Sequence, residues 1–247
     1  MTRVLGLLYG VVCYAAFFVT ILYAIGFVGN FVVPKSIDTG AAGPVAAAIV
    51  VNVCLMALFA IQHTIMARPA FKEWWTKFIP KPIERSTFVL AASALLGLLF
   101  WQWHPIGGIV WQVDAPVARN VLTGVSLFGW FMVFYSSFLI DHFDLFGLRQ
   151  VVLYLRGKEY TAPTFKKASL YKLVRHPLML GFLIAFWSAP TMTHGHLLFS
   201  VVITVYIFFG IHMEERDLRR FHGTAYDAYR EETSMILPLK MKRGGGS

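Results

Sequence analysis

The sequence predicts an all-α, polytopic integral membrane helical bundle, and three observations carry that reading. Hydrophobic residues fill 57% of the 247 positions and charged ones 14%, little more than half the charged share of an ordinary soluble domain. Five stretches, 4–34, 39–67, 86–113, 120–140 and 176–213, contain no Asp, Glu, Lys or Arg, and about 20 apolar residues suffice for a crossing helix. The basic residues gather in alternate connections, with only Lys35 and Arg119 falling in the others.

The first stretch predicts helix one, because its apolar core is far longer than that of a removable signal peptide and no clear cleavage site follows. The second gives helix two, the third helix three and the fourth helix four. The fifth is too long for one pass. Its middle, Pro190 to His196, has a turn composition that splits it into helices five and six, two short helices in a tight hairpin. Six transmembrane helices follow, with interfacial helices on the cytoplasmic side. Basic residues at Arg3, in 68–85, in 141–175 and after Met213 place both termini and the two long loops on the cytoplasmic side of the membrane. The net charge of +9 then reflects topology and anionic lipid headgroups rather than nucleic acid. Cys13 and Cys54 lie in the spans, so no disulfide framework is expected. Residues 1–243 read as a single membrane domain, and the Gly-Gly-Gly-Ser at 244–247 as a cloning remnant outside it.

Four polar segments at the cytoplasmic side resist explanation as solvated surface. Gln62-His63 ends helix two, ahead of an amphipathic stretch whose Trp74 and Trp75 suit the membrane boundary. His63 lies within a span, where an ionisable group faces the bundle or a wet cavity. Asp141-His142-Phe-Asp144 ends helix four. Either it is a capped helix end, or His142 faces a pocket with Asp144 or Asp141 fixing its tautomer. Arg175-His176-Pro177 opens helix five, where Pro suits the first turn and free amides beside an Arg suit a carboxylate or phosphate. Glu214-Glu215 follows apolar 207–211 where helix six leaves the bilayer, and needs a cationic or hydroxyl-bearing partner. The last two segments describe a ligand anionic at one end and cationic or hydroxyl-bearing at the other. S-adenosylmethionine fits, as do other zwitterions.

Arg175-His176-Pro177, then Glu214-Glu215, Gly223-x-x-Tyr226-x-x-Tyr229 and Pro238 resemble the membrane methyltransferases that include the isoprenylcysteine carboxyl and phospholipid methyltransferases, with Met179 here where that family usually has Tyr. Segments starting at Gln62, Glu84, Trp101, Asp141 and Thr193 extend the resemblance over most of the chain to bacterial methanethiol S-methyltransferases, and the chain is also similar to the NnrU-like membrane proteins. The resemblance implies transfer of a methyl group from S-adenosylmethionine to methanethiol, giving dimethyl sulfide. With helix-terminus chemistry it implies that Arg175, His176, Pro177 and Gly181 line the cofactor, that Glu214 and Glu215 hold its ammonium or ribose, and that Tyr229 closes the site. A thiol attacks poorly until deprotonated. His142 supported by Asp144 is the expected base, with His63 the alternative. The expected partners are a small volatile thiol and membrane lipid, with no obligate protein partner and no nucleic acid.

Other readings stay open at this level. A lipid or prenyl-cysteine carboxylate could be the acceptor, or the chain could be a non-enzymatic NnrU-like protein. A bis-His haem carrier needs ligands at matching depth, and His104 is expected on the side opposite His63, His142 and His212. A proton-coupled transporter would carry charges at mid-membrane, whereas the acids here gather at the boundary. No His-Glu-x-x-His spacing occurs, so no catalytic metal is expected.

Overall fold

A computed structural model describes residues 2–41, 43–162 and 169–238, without the side chain of His222; the 244–247 tail lies outside these residues. The chain is an all-α membrane bundle. Helix α1 (Arg3–Gly29) starts with the Thr2 hydroxyl accepting from the Leu5 amide at 3.3 Å and stops at Asn30, which is left-handed with φ 58°. Helix α2 (Val45–Ala67) stops just ahead of the Arg68-Pro69 step, because a residue before Pro is pushed out of the helical region. Pro69 then opens the short helix α3 (Pro69–Trp75). Helices α4 (Glu84–Gln102) and α5 (Pro116–Ile140) form the next pair. Beyond them come α6 (His142–Leu145), α7 (Leu148–Leu155), α8 (Pro177–Trp187), α9 (His194–His222) and α10 (Thr224–Glu232).

Among the described residues, five helices are long and apolar enough to cross a bilayer. The sixth, α8, has 11 residues and reaches about 16 Å at 1.5 Å per residue, roughly half a hydrocarbon core. The hairpin therefore departs from two short helices: only its first limb is short, and α9, 29 residues long, continues past the end of the apolar run at Met213. Lipid-facing side chains such as Leu8, Val19, Val50, Phe131 and Val205 stay exposed, which lipid tolerates and water would not.

A feature absent from the all-helical expectation closes one end of the bundle. Strand β1 (Ile109–Gln112) pairs antiparallel with β2 (Thr191–Thr193), Trp111 opposite Met192. Trp103 Nε1 donates to Ile37 O at 2.9 Å, and the Thr193 hydroxyl donates to Asp38 at 2.5 Å. Asn52 clamps the His104 backbone by donating to its carbonyl at 2.7 Å and accepting from its amide at 2.9 Å. These bonds tie the α1–α2, α4–α5 and α8–α9 connections into one cap over a core of Phe27, Leu99, Trp103, Trp130 and Phe199. His104 belongs to this cap. The charged chemistry lies at the other end.

Candidate active site

Two depressions meet at that other end. One is an apolar cavity of about 440 Å³ running between α1, α2, α4, α5, α8 and α9, and its walls include Phe17, Phe59, Val89, Phe134, Phe182 and Ile203. Its polar lining comprises His63, Arg85, Ser137, His142, Tyr171, Arg175, His176, Tyr206 and Glu214. The volume and the few convergent polar groups suit a small-molecule site. The second, of about 840 Å³, is polar and lined by Lys72, Lys81, Glu84, Asp141, Asp144, Gln150 and Tyr160 among others. Arg85, Ile140 and Leu145 line both and form the seam between them.

The acidic and basic residues expected at the cofactor end do converge, but with a division of labour the sequence did not reveal. Arg175 is buried, its Nε donating to Glu215 Oε1 at 2.7 Å and its Nη1 to the carbonyls of Thr233 at 2.5 Å and Arg230 at 3.2 Å. Glu215 also meets His176 Nε2 at 3.2 Å and Arg230 Nε at 3.1 Å. Its two oxygens are thus shared among three basic side chains. The Arg175 and His176 amides donate to Ser234 O at 2.8 Å and Met235 O at 3.1 Å, so this cluster seats residues 234–235 across the start of α8. Glu214 differs: its half-exposed carboxylate stands 3.5 Å from His176 Nδ1 and lines the apolar cavity. Burial works against the charged form of His176, yet Glu214 and Glu215 outweigh it and hold the imidazole above its ordinary value.

Tyr229 is buried and donates to Tyr171 O at 2.6 Å. Burial pushes its phenol up to about 12, so it acts as a neutral donor that fixes the cavity-lining Tyr171. Pro177 opens α8, which has no side-chain cap, and Leu178 and Met179 from that first turn line the cavity. Gly181 lies elsewhere. A Cβ there would stand 2.7 Å from Gly129 O and 2.9 Å from Val133 N, so Gly181 serves the close crossing of α5 and α8 and is not part of the cavity wall.

The expected His142–Asp144 pair is not formed. Asp141 breaks the helix at φ 150°, and its carboxylate accepts from the Asp144 amide at 3.1 Å. This turns His142 inward between Ser137 and Tyr14, each 2.8 Å from one ring nitrogen. Because the Ser137 hydroxyl donates to Phe134 O at 2.7 Å, it accepts from His142 Nδ1–H, which leaves Nε2 to accept from the Tyr14 hydroxyl. Burial lowers the proton affinity of His142, with Asp141 opposing. Asp144 engages Arg149 at 2.8 Å and the Tyr160 hydroxyl at 3.1 Å instead. His63 packs on Phe88 and Phe59 with ring centroids 4.9 Å and 5.3 Å away, and its buried Nδ1 has no hydrogen-bond partner among the described residues.

Arg85, Tyr14, Ser137 and Tyr171 are site residues that the sequence reading did not single out. Arg85 had a legible signal: it is the last charge before the uncharged 86–113 run, with Phe88 and Val89 at i+3 and i+4. No acid one turn onward could pair with it.

Curated relatives share nearly the whole of this arrangement's sequence span. The chain is 56% identical over 238 residues, 96% of itself and 84% of the relative, to methanethiol S-methyltransferase 1 of Bradyrhizobium diazoefficiens. It is 50% identical to the methanethiol S-methyltransferase of Mycobacterium tuberculosis, over 96% of itself and 98% of that protein. Mouse nurim is more distant, 28% identical over 68% of this chain and 67% of its own length. No family model matches the chain, and no solved structure gives a significant match. Identity of this depth along almost the full chain settles its relationship: it belongs to the methanethiol S-methyltransferase family.

Proposed function

We propose that the chain, acting through residues 1–243 as one membrane domain, methylates methanethiol to dimethyl sulfide, with S-adenosylmethionine as donor, at the cytoplasmic face of the bacterial inner membrane. The observation that carries this reading is a cavity walled largely by Phe and aliphatic side chains whose lining also includes Tyr171, His176 and Glu214. A small apolar thiol that partitions into membrane suits the apolar walls, and a polar zwitterion suits the polar groups.

The residues present fit S-adenosylmethionine. When bound, it supplies an electrophilic methyl group on a sulfonium. Glu215 is committed to Arg175, His176 and Arg230, which leaves Glu214 as the carboxylate for an ammonium or ribose hydroxyls. The uncapped first turn of α8, at Leu178 and Met179, suits a carboxylate because backbone amides and the helix dipole favour negative charge there. Arg175 and Tyr229 act indirectly, by seating residues 234–235 and holding Tyr171. Aromatic faces along the cavity attract a sulfonium. For the acceptor, a proton must leave the thiol before its sulfur can attack effectively, and His142 and His63 are the two imidazoles outside the Glu214–Glu215 cluster that face the cavity. The basic connections at this end support a cytoplasmic orientation.

Headspace gas chromatography on purified protein given S-adenosylmethionine and methanethiol tests the reading. Dimethyl sulfide from the wild type and its loss in Glu214→Ala are expected. Calorimetric binding of S-adenosylmethionine without dimethyl sulfide, together with a methylated lipid, would replace the acceptor. Absence of both binding and product would remove the enzymatic reading.

A further inference from the structure

We propose that Arg85 and His63 build the thiol subsite, the Arg85 guanidinium serving as counter-ion to a small alkyl thiolate and His63 Nδ1 receiving the thiol proton. The proposal rests on the methyl-transfer reading above and adds the residues that prepare the acceptor.

Arg85 lines the apolar cavity, yet among the described residues no carboxylate lies within ion-pairing distance of it. Its guanidinium Nε donates to Leu145 O at 2.7 Å and its Cζ sits 4.8 Å over the Phe88 ring. Those contacts hold the half-buried group in place; Glu84 and Asp144 act on it only through space, so the guanidinium has no anion in direct contact among the described residues. The same Phe88 ring packs against His63, so one phenyl carries both groups. His63 Nδ1 is buried and, among the described residues, without a hydrogen-bond partner, an unmade bond that is itself unfavourable unless a ligand completes it. A thiol donating to Nδ1 supplies that partner, and the thiolate it becomes supplies an anion in direct contact with the guanidinium. The other cationic and imidazole groups are engaged: Arg175 by Glu215 and two carbonyls, His176 by both glutamates, and His142 by Ser137 and Tyr14.

The balance closes. The S–H proton moves to His63 Nδ1, and the bonding pair stays on sulfur. A lone pair of that thiolate forms the new S–CH₃ bond while the methyl's bond to the sulfonium breaks, its pair remaining on the donor sulfur. One anion and one cation become two neutral thioethers, a cancellation that apolar walls favour, and His63 then returns its proton to water.

The ionisation of bound thiol is the direct readout. Purified protein without cofactor is titrated with methanethiol across pH and the thiolate absorbance in the ultraviolet is followed. Glu84 on α4, Lys72 on α3, Asp144 on α6 and Tyr160 beyond α7 also bear on Arg85, so each pH curve is compared with wild type. We expect wild type to show bound thiolate at neutral pH, and Arg85→Gln and His63→Gln to show it only at higher pH. Turnover in Arg85→Gln should fall about 100-fold, the scale for one lost preorganised donor at a developing anion. Its activity optimum should move alkaline, Arg85→Lys should recover part of the loss, and the calorimetric affinity for S-adenosylmethionine should stay within about 3-fold. Wild-type thiolate absorbance and rate in Arg85→Gln would overturn the proposal. So would weakened cofactor binding with thiol ionisation unchanged, which would make Arg85 a partner of the cofactor carboxylate. Bound thiolate in a wild type that makes no dimethyl sulfide would sink the functional reading and leave the subsite standing. If Arg85→Gln fails to fold, Arg85→Lys and His63→Gln decide by the same absorbance.

Discussion

Two adjacent glutamates illustrate how far single residues could be read in advance. The sequence announced that Glu214 and Glu215 need partners, because two acids at a basic membrane boundary are expensive alone. It gave no way to tell them apart, since successive helical positions differ only by a 100° turn and the partners come from elsewhere in the chain. Folding hands Glu215 to Arg175, His176 and Arg230, and leaves Glu214 toward the cavity. The consequences of substitution separate accordingly. Glu215→Gln strands a buried arginine and should cost about 3–5 kcal/mol, visible as a lower melting temperature with residues 234–235 released to protease. Glu214→Gln should melt as wild type while its S-adenosylmethionine affinity falls about 10-fold or more, the worth of one charge-assisted hydrogen bond; equal melting losses in the two variants would refute the distinction. His176 adds a pH dependence. Its proton is held above the ordinary imidazole value by the two glutamates against burial. The stability it lends is therefore complete below about pH 6.5 and is lost as pH rises through the higher folded value. Hydrogen-exchange protection of the Arg175 and residue-176 amides, corrected for the intrinsic base-catalysed rate, should fall across that window in wild type and stay flat in His176→Asn.

At the scale of elements, the sequence placed α1, α2, α4 and α5 and the break between α8 and α9, but expected α9 to be short and could not set where each helix stops. Apolar runs mark lipid depth, whereas helix length depends on capping and packing, so α9 continues beyond Met213 into polar sequence and presents both glutamates from one rigid element. The break after α5 was open for a similar reason: whether His142 faces the cavity depends on whether Asp141 ends the helix, and a residue at φ 150° is a tertiary outcome. The short α8 owes its position to small residues. Gly129 and Gly181 let two backbones touch, since a Cβ on Gly129 would stand 2.6 Å from Gly181 O and from Ala185 N. Close approach at small residues is how helices associate where no hydrophobic force distinguishes protein from lipid. Gly181→Leu should separate α5 from α8 at a cost of about 1–3 kcal/mol for overpacking, lowering the melting temperature and displacing the Arg175 end of α8. Gly210→Ala is the matched control, because nothing lies within 4 Å of that Cβ, and it should be neutral or stabilising by up to about 1 kcal/mol.

The charge distribution makes its prediction only for the whole molecule. The bonded cap joins the α1–α2, α4–α5 and α8–α9 connections at one end, so the start of α1, the described segment through Pro238 and the charged end of the cavity fall at the other. Nearly all the basic residues fall in segments at that same end, the one the positive-inside rule assigns to the cytoplasm. The proposed donor calls for the same orientation, because a permanently charged sulfonium compound made in the cytoplasm would pay heavily to cross hydrocarbon, while a small neutral thiol would not. A membrane-impermeant thiol reagent applied to intact spheroplasts tests it in a background with Cys13 and Cys54 replaced. Gly43→Cys and Asp114→Cys, exposed in the connections at the capped end, should label at once, and Lys77→Cys only after permeabilisation. Labelling of Lys77→Cys from outside would put the Glu214 cluster in the periplasm, beyond reach of the cytoplasmic donor, and would overturn the cofactor assignment without disturbing a single contact in the fold.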